Sequence, residues 1–350
     1  MQRATHSDKK RYHVSLMTNI LIYDMATFYP FPSIENGRTV VDKVIETCLP
    51  EGVDTCEIEG TIKIHGSCAA IVKHDSDGPI TFQSRSRIIT IDDDNASFAA
   101  SMLQSMEHVQ RMFSEIEKVK HGGTMYYPII VYGEWCGKGI QKNVAINKVE
   151  KCFVIFKIVL GRDREKGWMN MDDYAHILAP PIIRNIREVP VYTFILKKHS
   201  IKEDLETISE VVNKIDTQCP FSQRLFDADG HGEGLVLKPK TLHGSDYWWK
   251  QKGESHQLTR PKTQLGHNHN DSHKVEKDFA LQFVTFERLL SAKEALHIST
   301  IKDIKEIMRH FSKIAAWIVE DIRREETFDG KDESATKKAI MGRVRELLLA

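Results

Sequence analysis

Residues 61–72, TIKIHGSCAAIV, put Lys63 and His65 at the end of one apolar run and Gly66 before the next. Short runs rich in Val, Ile, Phe and Tyr, broken by Gly, Asp, Asn or Pro, are the texture of β-strands. A glycine at such a break lets the backbone turn and come close to a ligand. Working outward, the same texture continues from about Val53 to Leu242. Strands are expected at Ala69 to Lys73, Tyr127 to Tyr132, Cys152 to Leu160, Val189 to Leu196 and Gly234 to Lys238. Two amphipathic stretches interrupt it. Asn95 to His121 carries Phe98, Met102, Met106, Val109, Phe113 and Ile116 at three- and four-residue intervals. Lys202 to Ile215 carries Leu205, Ile208, Val211, Val212 and Ile215 on one side, with Asp204 and Glu206 in its first turns. Both spacings predict helices.

The texture changes after Trp249. Residues 253–274 are polar and nearly devoid of aliphatic side chains, which predicts a linker. Beyond it, Thr300 is placed to cap a helix running through Ile301, Ile304, Met308, Phe311, Ala315, Ile318 and Ile322, and Ser291 with Glu294 has the spacing of a capping box. A last helix from near Ser334 would bury Ile340, Val344, Leu347 and Leu348. The expected fold class is α+β, a large mixed domain followed by a small all-helical C-terminal domain. The boundaries read as 1–258, a linker over 259–274, and 275–350.

With 350 residues, 41% hydrophobic and 28% charged, the chain is long enough for two domains, which excludes a peptide hormone or a disordered tail. No apolar run approaches the roughly 18 residues of a membrane span. The N-terminal MQRATHSDKKRYH is too polar for the core of a signal peptide. A cytoplasmic protein that engages no membrane is expected, with the nucleus left open. Lys and Arg number 49 and so do Asp and Glu, so attraction to nucleic acid has to come from local clusters of basic groups. The six cysteines include no CxxC pair, which argues against a zinc ribbon or a dithiol redox motif and for free thiols. GHNHNDSH, with His267, His269 and His273, reads as a polar connecting loop in preference to a metal site, because Gly, Asn, Asp and Ser surround the histidines.

Four short segments carry more polar chemistry than strands need. The first is KIHG with Lys63, which alone is equally an exposed strand lysine beside a turn. The second is VYGEWCGKGIQ, where Glu134 sits among Gly133, Gly137 and Gly139; a hairpin turn is its plain alternative. The third is GHGEGLVLKP, with Glu233 between two glycines and Lys238 across an apolar run. The fourth is YWWKQKGESH, where Lys250 and Lys252 fall on one face of a strand, shared with Trp248, while Trp249 points into a core. A lysine pair on a solvated strand edge is the bland reading of that segment. All four in this order are far less common by chance than any one of them.

Together they resemble the covalent nucleotidyltransferase superfamily of ATP-dependent polynucleotide ligases and RNA capping enzymes, most closely its RNA ligase 2 group. KIHG is similar to that group's nucleotidyl-lysine motif, YGEWCGKGIQ to its glutamate motif, FVIF to its aromatic motif, EGLVLK to its fourth and WKQK to its fifth. FPSIEN, Phe31 to Asn36, resembles its opening, and FVTFERLLSAKEAL the start of its helical C-terminal domain.

The resemblance implies a nucleotidyltransferase (ATP-grasp-like ligase) domain of antiparallel sheets with flanking helices. It also implies an ATP-dependent RNA ligase acting in RNA repair: a lysine attacks the α-phosphorus of ATP, AMP passes to an RNA 5′-phosphate, and a 3′-hydroxyl displaces AMP. Lys63 would be the nucleophile. Arg85, Lys238, Lys250 and Lys252 would favour its neutral amine by like-charge repulsion and neutralise charge developing on the phosphates. Phe156 would stack on adenine, although core packing is its plain alternative, and the backbone around Ile62 would read the base edge. Glu134 would accept hydrogen bonds from the ribose hydroxyls. Glu233 would help hold Mg²⁺ or Mn²⁺, a hard cation content with one or two carboxylates plus phosphate oxygens. Arg87 is the alternative to Arg85.

RNA ends are the implied partner, in a nicked duplex or a structured break, and a monomer is expected. Arg323, Arg324, Lys337, Lys338, Arg343 and Arg345 are candidates for phosphate contacts. Two residues depart from the group's pattern: Cys68 stands where an asparagine is common and Lys157 where an aspartate is common. Competing readings are a DNA ligase or capping-type nucleotidyltransferase, which usually carry an OB-fold after the last motif, and a non-catalytic RNA-end-binding protein.

Overall fold

The computed structural model describes residues 27–119, 126–141, 143–162, 167–242, 244–256, 274–296, 298, 301, 303–325 and 333–349. The expected linker other than Lys274, the histidines His267, His269 and His273, and Thr300 lie outside them. In chain order the elements are β1 (Glu35–Asn36), α1 (Gly37–Cys48), β2 (Thr55–Lys63), β3 (Ser67–Lys73), β4 (Ile80–Ser84), β5 (Ile88–Ile89), α2 (Phe98–Gln104), α3 (Met106–Lys118), β6 (Ile129–Cys136), β7 (Cys152–Leu160), α4 (Met171–Tyr174) and β8 (Ile183–Asn185). There follow β9 (Tyr192–Lys197), α5 (Ile201–Thr217), α6 (Pro220–Phe226), β10 (Gly234–Pro239), β11 (Trp249–Lys252), α7 (Lys274–Phe283), α8 (Phe286–Ala295), α9 (Ile304–Arg309), α10 (Phe311–Glu325) and α11 (Glu333–Leu349). The class is α+β, as the sequence predicts.

The chain forms two compact units. Among the described residues, one comprises those within 27–31, 66–140 and 150–188; the other comprises those within 32–65, 141–149 and 189–349. The first unit is built on a six-stranded sheet of order β5-β4-β3-β6-β7-β8, antiparallel except for β7 with β8. One face of it carries Ala69, Ile71, Ile129, Val131, Phe153, Ile155, Ile158 and Leu160, which pack with Phe98, Met102, Val109, Met112, Phe113 and Ile116 of α2 and α3. Burying each such side chain contributes about 1.5–3 kcal/mol. The buried positions of β7 change from odd to even because of a bulge: Gly133 pairs with Ile155, but Tyr132 pairs with Lys157, leaving Phe156 as the extra residue.

The second unit holds a five-stranded sheet of order β1-β11-β10-β2-β9, antiparallel except for β1 with β11. Ile58, Ile62, Leu196, Leu235, Leu237 and Trp249 are buried. Gln251, which shares the face of Trp249, donates a hydrogen bond to Ser209 of α5 at 2.8 Å, and so identifies the face that α5 covers. The helices α7 to α11 enclose a core of their own around Phe279, Leu289, Ile314, Ile318, Ile340 and Val344. Among the described residues no helix is long and apolar enough to cross a membrane.

Several expected elements are corrected. The single helix over Asn95 to His121 is two, α2 and α3, divided at Ser105 (φ −108°, ψ 30°). The helix expected to begin beside Thr300 begins at Ile304, where the Asp303 carboxylate accepts the Lys305 N–H. It breaks again at His310, so one apolar stripe covers two helices. Ser291 and Glu294 lie inside α8, which already starts at Phe286, so neither stands at a helix start. In the glutamate motif Glu134 lies within β6, which runs on to Cys136, and the turn follows at 137–140 in the connection to β7.

Candidate active site

Cross-strand partners in an antiparallel pair project from the same face of a sheet. Lys63 pairs with Gly234 and Gly234 with Lys252; Thr61 pairs with Val236 and Val236 with Lys250; Glu59 pairs with Lys238. Lys63, Lys238, Lys250 and Lys252 therefore gather on the face that α5 leaves open. Lys238 and Lys250 are buried to 4% and 8% exposure. The Lys238 ammonium lies 4.4 Å from the centre of the Trp248 ring, a cation–π contact that helps a lysine tolerate burial.

Glu233, the residue before β10, lies at the end of this face beside Lys63 and Lys252 and is itself buried. Its Oε2 accepts a hydrogen bond from Lys63 Nζ at 2.6 Å and stands 3.1 Å from His65 Nδ1; its Oε1 is 3.4 Å from Lys252 Nζ. The backbone dictates this placement. Gly234 has φ +145°, and a Cβ there would overlap the carbonyl oxygen of Gln251, so only glycine lets β10 begin where Glu233 can reach back to Lys63. Burial alone would push the Glu233 carboxyl up, but the charges of Lys63, His65 and Lys252 outweigh it and hold the group well below the usual carboxylate range. Ile62 points to the opposite, buried face. Its strand pairs with β9 only as far as Gly60, opposite Tyr192, so Ile62 is paired on one side, with Leu235.

The remaining candidates belong to the first unit. The face of its sheet away from α2 and α3 carries Tyr132, Glu134 and Phe156. Cys68 is the cross-strand partner of Glu134, and Glu134 Oε1 accepts the Gly66 N–H at 2.9 Å. Phe156 is half-buried, re-aimed by the bulge, with its ring edge-on to Phe31 at 4.9 Å. Lys157 is buried: its Nζ donates to the Met169 carbonyl at 2.9 Å and lies 4.6 Å from the centre of the Trp168 ring. Its departure from the motif is thus a packing solution local to this sheet. Arg85 is exposed in the turn after β4. Arg87, the alternative, is tied to Asp93 by an ion pair of 2.9 Å and by a hydrogen bond to the Asp93 carbonyl.

Three residues of the second unit were not among the candidates. His65 has a sequence signal, since it lies inside KIHG. His256 likewise closes the segment YWWKQKGESH, whereas Asp216, near the end of α5, has no such signal. Among the described residues no three His, Cys, Asp or Glu side chains are gathered as a metal site. A divalent ion at Glu233 would therefore draw on one protein carboxylate, with phosphate and water oxygens supplying the rest.

The model of the RNA ligase family matches residues 57–252, more than half of the chain, and the chain belongs to that family. Among solved structures it is similar to a Naegleria gruberi RNA ligase, seen as a mutant with AMP and Mn at 17% identity and a TM-score of 0.44, over 66% of this chain and 58% of that one. It is also similar to that RNA ligase with ATP and Mn (16% identity, TM-score 0.43, 66% and 58% covered) and with PPi (15%, 0.40, 66% and 58%). The chain thus matches somewhat less than two thirds of the length of these solved ligases. No curated protein matches.

Proposed function

We propose that the chain is an ATP-dependent RNA ligase that forms a lysyl-AMP intermediate on Lys63 and seals RNA 5′-phosphate and 3′-hydroxyl ends at nicks or structured breaks, as an RNA repair activity. The observation that carries this reading is the face of the five-stranded sheet on which Lys63 meets the buried Glu233 and is flanked by Lys238, Lys250 and Lys252.

Lys63 gives up its ammonium proton to solvent, and the neutral Nζ attacks the α-phosphorus of ATP: a P–N bond forms, the P–O bond to pyrophosphate breaks, and pyrophosphate leaves. An oxygen of the RNA 5′-phosphate then attacks the same phosphorus, the P–N bond breaks, and the lysine amine is released. Finally the 3′-hydroxyl, losing its proton to solvent, attacks the RNA 5′-phosphorus, and AMP leaves as the phosphodiester forms. In the first step Lys63 exchanges its ion pair with Glu233 for contact with the nucleotide. Lys238, Lys250 and Lys252 are already desolvated or held by neighbours, so they stabilise charge building on the phosphate oxygens with little rearrangement. Glu233 fits a divalent cation as an ionised oxygen donor, and Mg²⁺ or Mn²⁺ bound there would add charge neutralisation at the phosphates. Phe156 offers a half-exposed aromatic face for a base, Glu134 a carboxylate for ribose hydroxyls, and Arg85 an exposed guanidinium for phosphate.

RNA ends are the proposed partner. In the helical region Arg323 pairs with Glu320 and Glu333, Lys337 with Glu333, and Arg343 with Glu346. Lys338 and Arg345 are exposed and seven residues apart, on one side of α11, and so are better placed for phosphate. Described residues after Glu254–His256 form helices alone, which favours an RNA ligase over enzymes with a β-barrel in that position.

The test is sealing of a nicked RNA duplex with a labelled 5′-phosphate in the presence of ATP and Mg²⁺. A ligated strand is expected. An unsealed RNA nick beside a sealed DNA nick would point to a DNA ligase, transfer of GMP to an RNA end to a capping enzyme, and retention of the ends without any transfer to an end-binding protein.

A further inference from the structure

The turn after β11 carries polar groups that no motif accounts for. Gly253 N–H donates to the Glu233 carbonyl at 3.0 Å. A Cβ on Gly253 would fall inside the Asp216 side chain, so glycine is what lets the turn lie against the end of α5. The buried Asp216 accepts the Ser255 N–H at Oδ2, at 2.9 Å. Its Oδ1 faces His256 Nε2 at 3.9 Å, and neither atom has a hydrogen-bond partner among the described residues. The His256 ring lies against the His65 ring, with centroids 5.5 Å apart and planes inclined by 59°. His65 Nδ1 is in turn 3.1 Å from Glu233 Oε2, the same oxygen that Lys63 contacts at 2.6 Å.

The His256 side chain is 13% exposed, so its ring is held by its neighbours and presents a fixed surface to His65. His256 also lies beyond residues 57–252, the part of the chain matched by the family model.

We propose that His256 is a positioning residue for reaction at Lys63: its ring packs against His65, holds that imidazole toward Glu233 Oε2, and so sets the geometry in which Glu233 holds Lys63. This inference rests on the lysine adenylylation proposed above. Asp216 anchors the arrangement from the other side by fixing the turn through Ser255. The consequence is selective. His256 matters where Lys63 is the nucleophile and not where a preformed RNA adenylate is sealed, because Lys63 forms no bond in that step.

The experiment uses the full chain and three readouts: the single-turnover rate constant for lysyl-AMP formation at saturating ATP, the ATP concentration for half-maximal rate, and sealing of a pre-adenylylated RNA nick. For His256→Ala the rate constant is expected to fall about tenfold, with the half-maximal concentration and the sealing of pre-adenylylated RNA within about twofold of wild type. His256→Phe keeps a ring against His65 and is expected within about threefold of wild type in all three. The proposal is overturned by a His256→Ala variant at the wild-type rate, by His256→Phe as slow as His256→Ala, or by an equal loss in both reactions. A wild-type chain that forms no adduct overturns the activity itself, a failure read in a separate sample.

Discussion

Glu233 Oε2 lies 2.6 Å from Lys63 Nζ, and the same carboxylate reaches Lys252 through its other oxygen at 3.4 Å. One buried anion thus organises two of the four lysines on the open face. Replacing it by Glu233→Gln keeps the shape but leaves those cations uncompensated, and should cost about 1–3 kcal/mol of stability at pH 7. The native carboxyl is held below its unfolded value, which is about 4.3. Its stabilising effect is therefore complete above that value and is lost as pH falls through the lower native one. Urea unfolding of wild type and Glu233→Gln should show a constant gap from about pH 7 to 5 and a narrowing gap below about 4.3. A gap independent of pH would contradict the charge assignment.

Arg87 is tied to Asp93, and Arg85 is the group proposed to meet phosphate. Arg87→Ala removes an ion pair and a carbonyl contact and should lower stability by about 1 kcal/mol, with adduct formation little changed. Arg85→Ala should reduce the rate of adduct formation in a chain that stays folded. Thermal melts beside single-turnover rates distinguish the two, and the reverse pattern would exchange the assignments.

Lys157 is held by the Met169 carbonyl and the Trp168 ring. Lys157→Met should lower stability by about 1–3 kcal/mol by leaving that carbonyl unsatisfied. Lys157→Asp, which installs the residue common in related ligases, should cost more, because a buried carboxylate would then face a carbonyl oxygen. An Asp variant as stable as wild type would show that Lys157 is held for some reason other than packing.

The helical region offers a test by salt. Lys338→Ala with Arg345→Ala should reduce the slope of log affinity for RNA against log salt by about 1 to 2. Lys337→Ala with Arg343→Ala should change it less, since both side chains already pair with glutamates. Equal slopes for the two double variants would remove the distinction drawn from those ion pairs.

Much of this was legible in the sequence, for physical reasons. Cys152 to Leu160 and Lys202 to Ile215 were found nearly to the residue, because a short continuous apolar run marks a buried strand and three-to-four spacing marks the buried side of a helix. Strand spacing showed that Lys250 and Lys252 share a face, whereas Lys63 and Lys238 were legible only through the motifs they resemble. The division at Ser105 and the break at His310 were not, since an apolar stripe continues unchanged across a short kink. The bulge at Phe156 was hidden for a different reason: it is visible only in the register of the neighbouring strand, yet it re-aims Phe156 and buries Lys157. Asp216 and His256 are 40 residues apart and meet only through the turn after β11, so no local pattern reveals that they meet.

Every later step of the proposed reaction depends on covalent adenylylation of Lys63. The most direct measurement is incubation with α-labelled ATP and Mg²⁺, followed by denaturing separation, intact mass and peptide mapping, with GTP and NAD⁺ in parallel and Lys63→Ala as the control. A single AMP adduct on Lys63, formed from ATP and absent in Lys63→Ala, is the expected result. A folded chain, free of prebound AMP, that forms no adduct, or an adduct that survives Lys63→Ala, would contradict it.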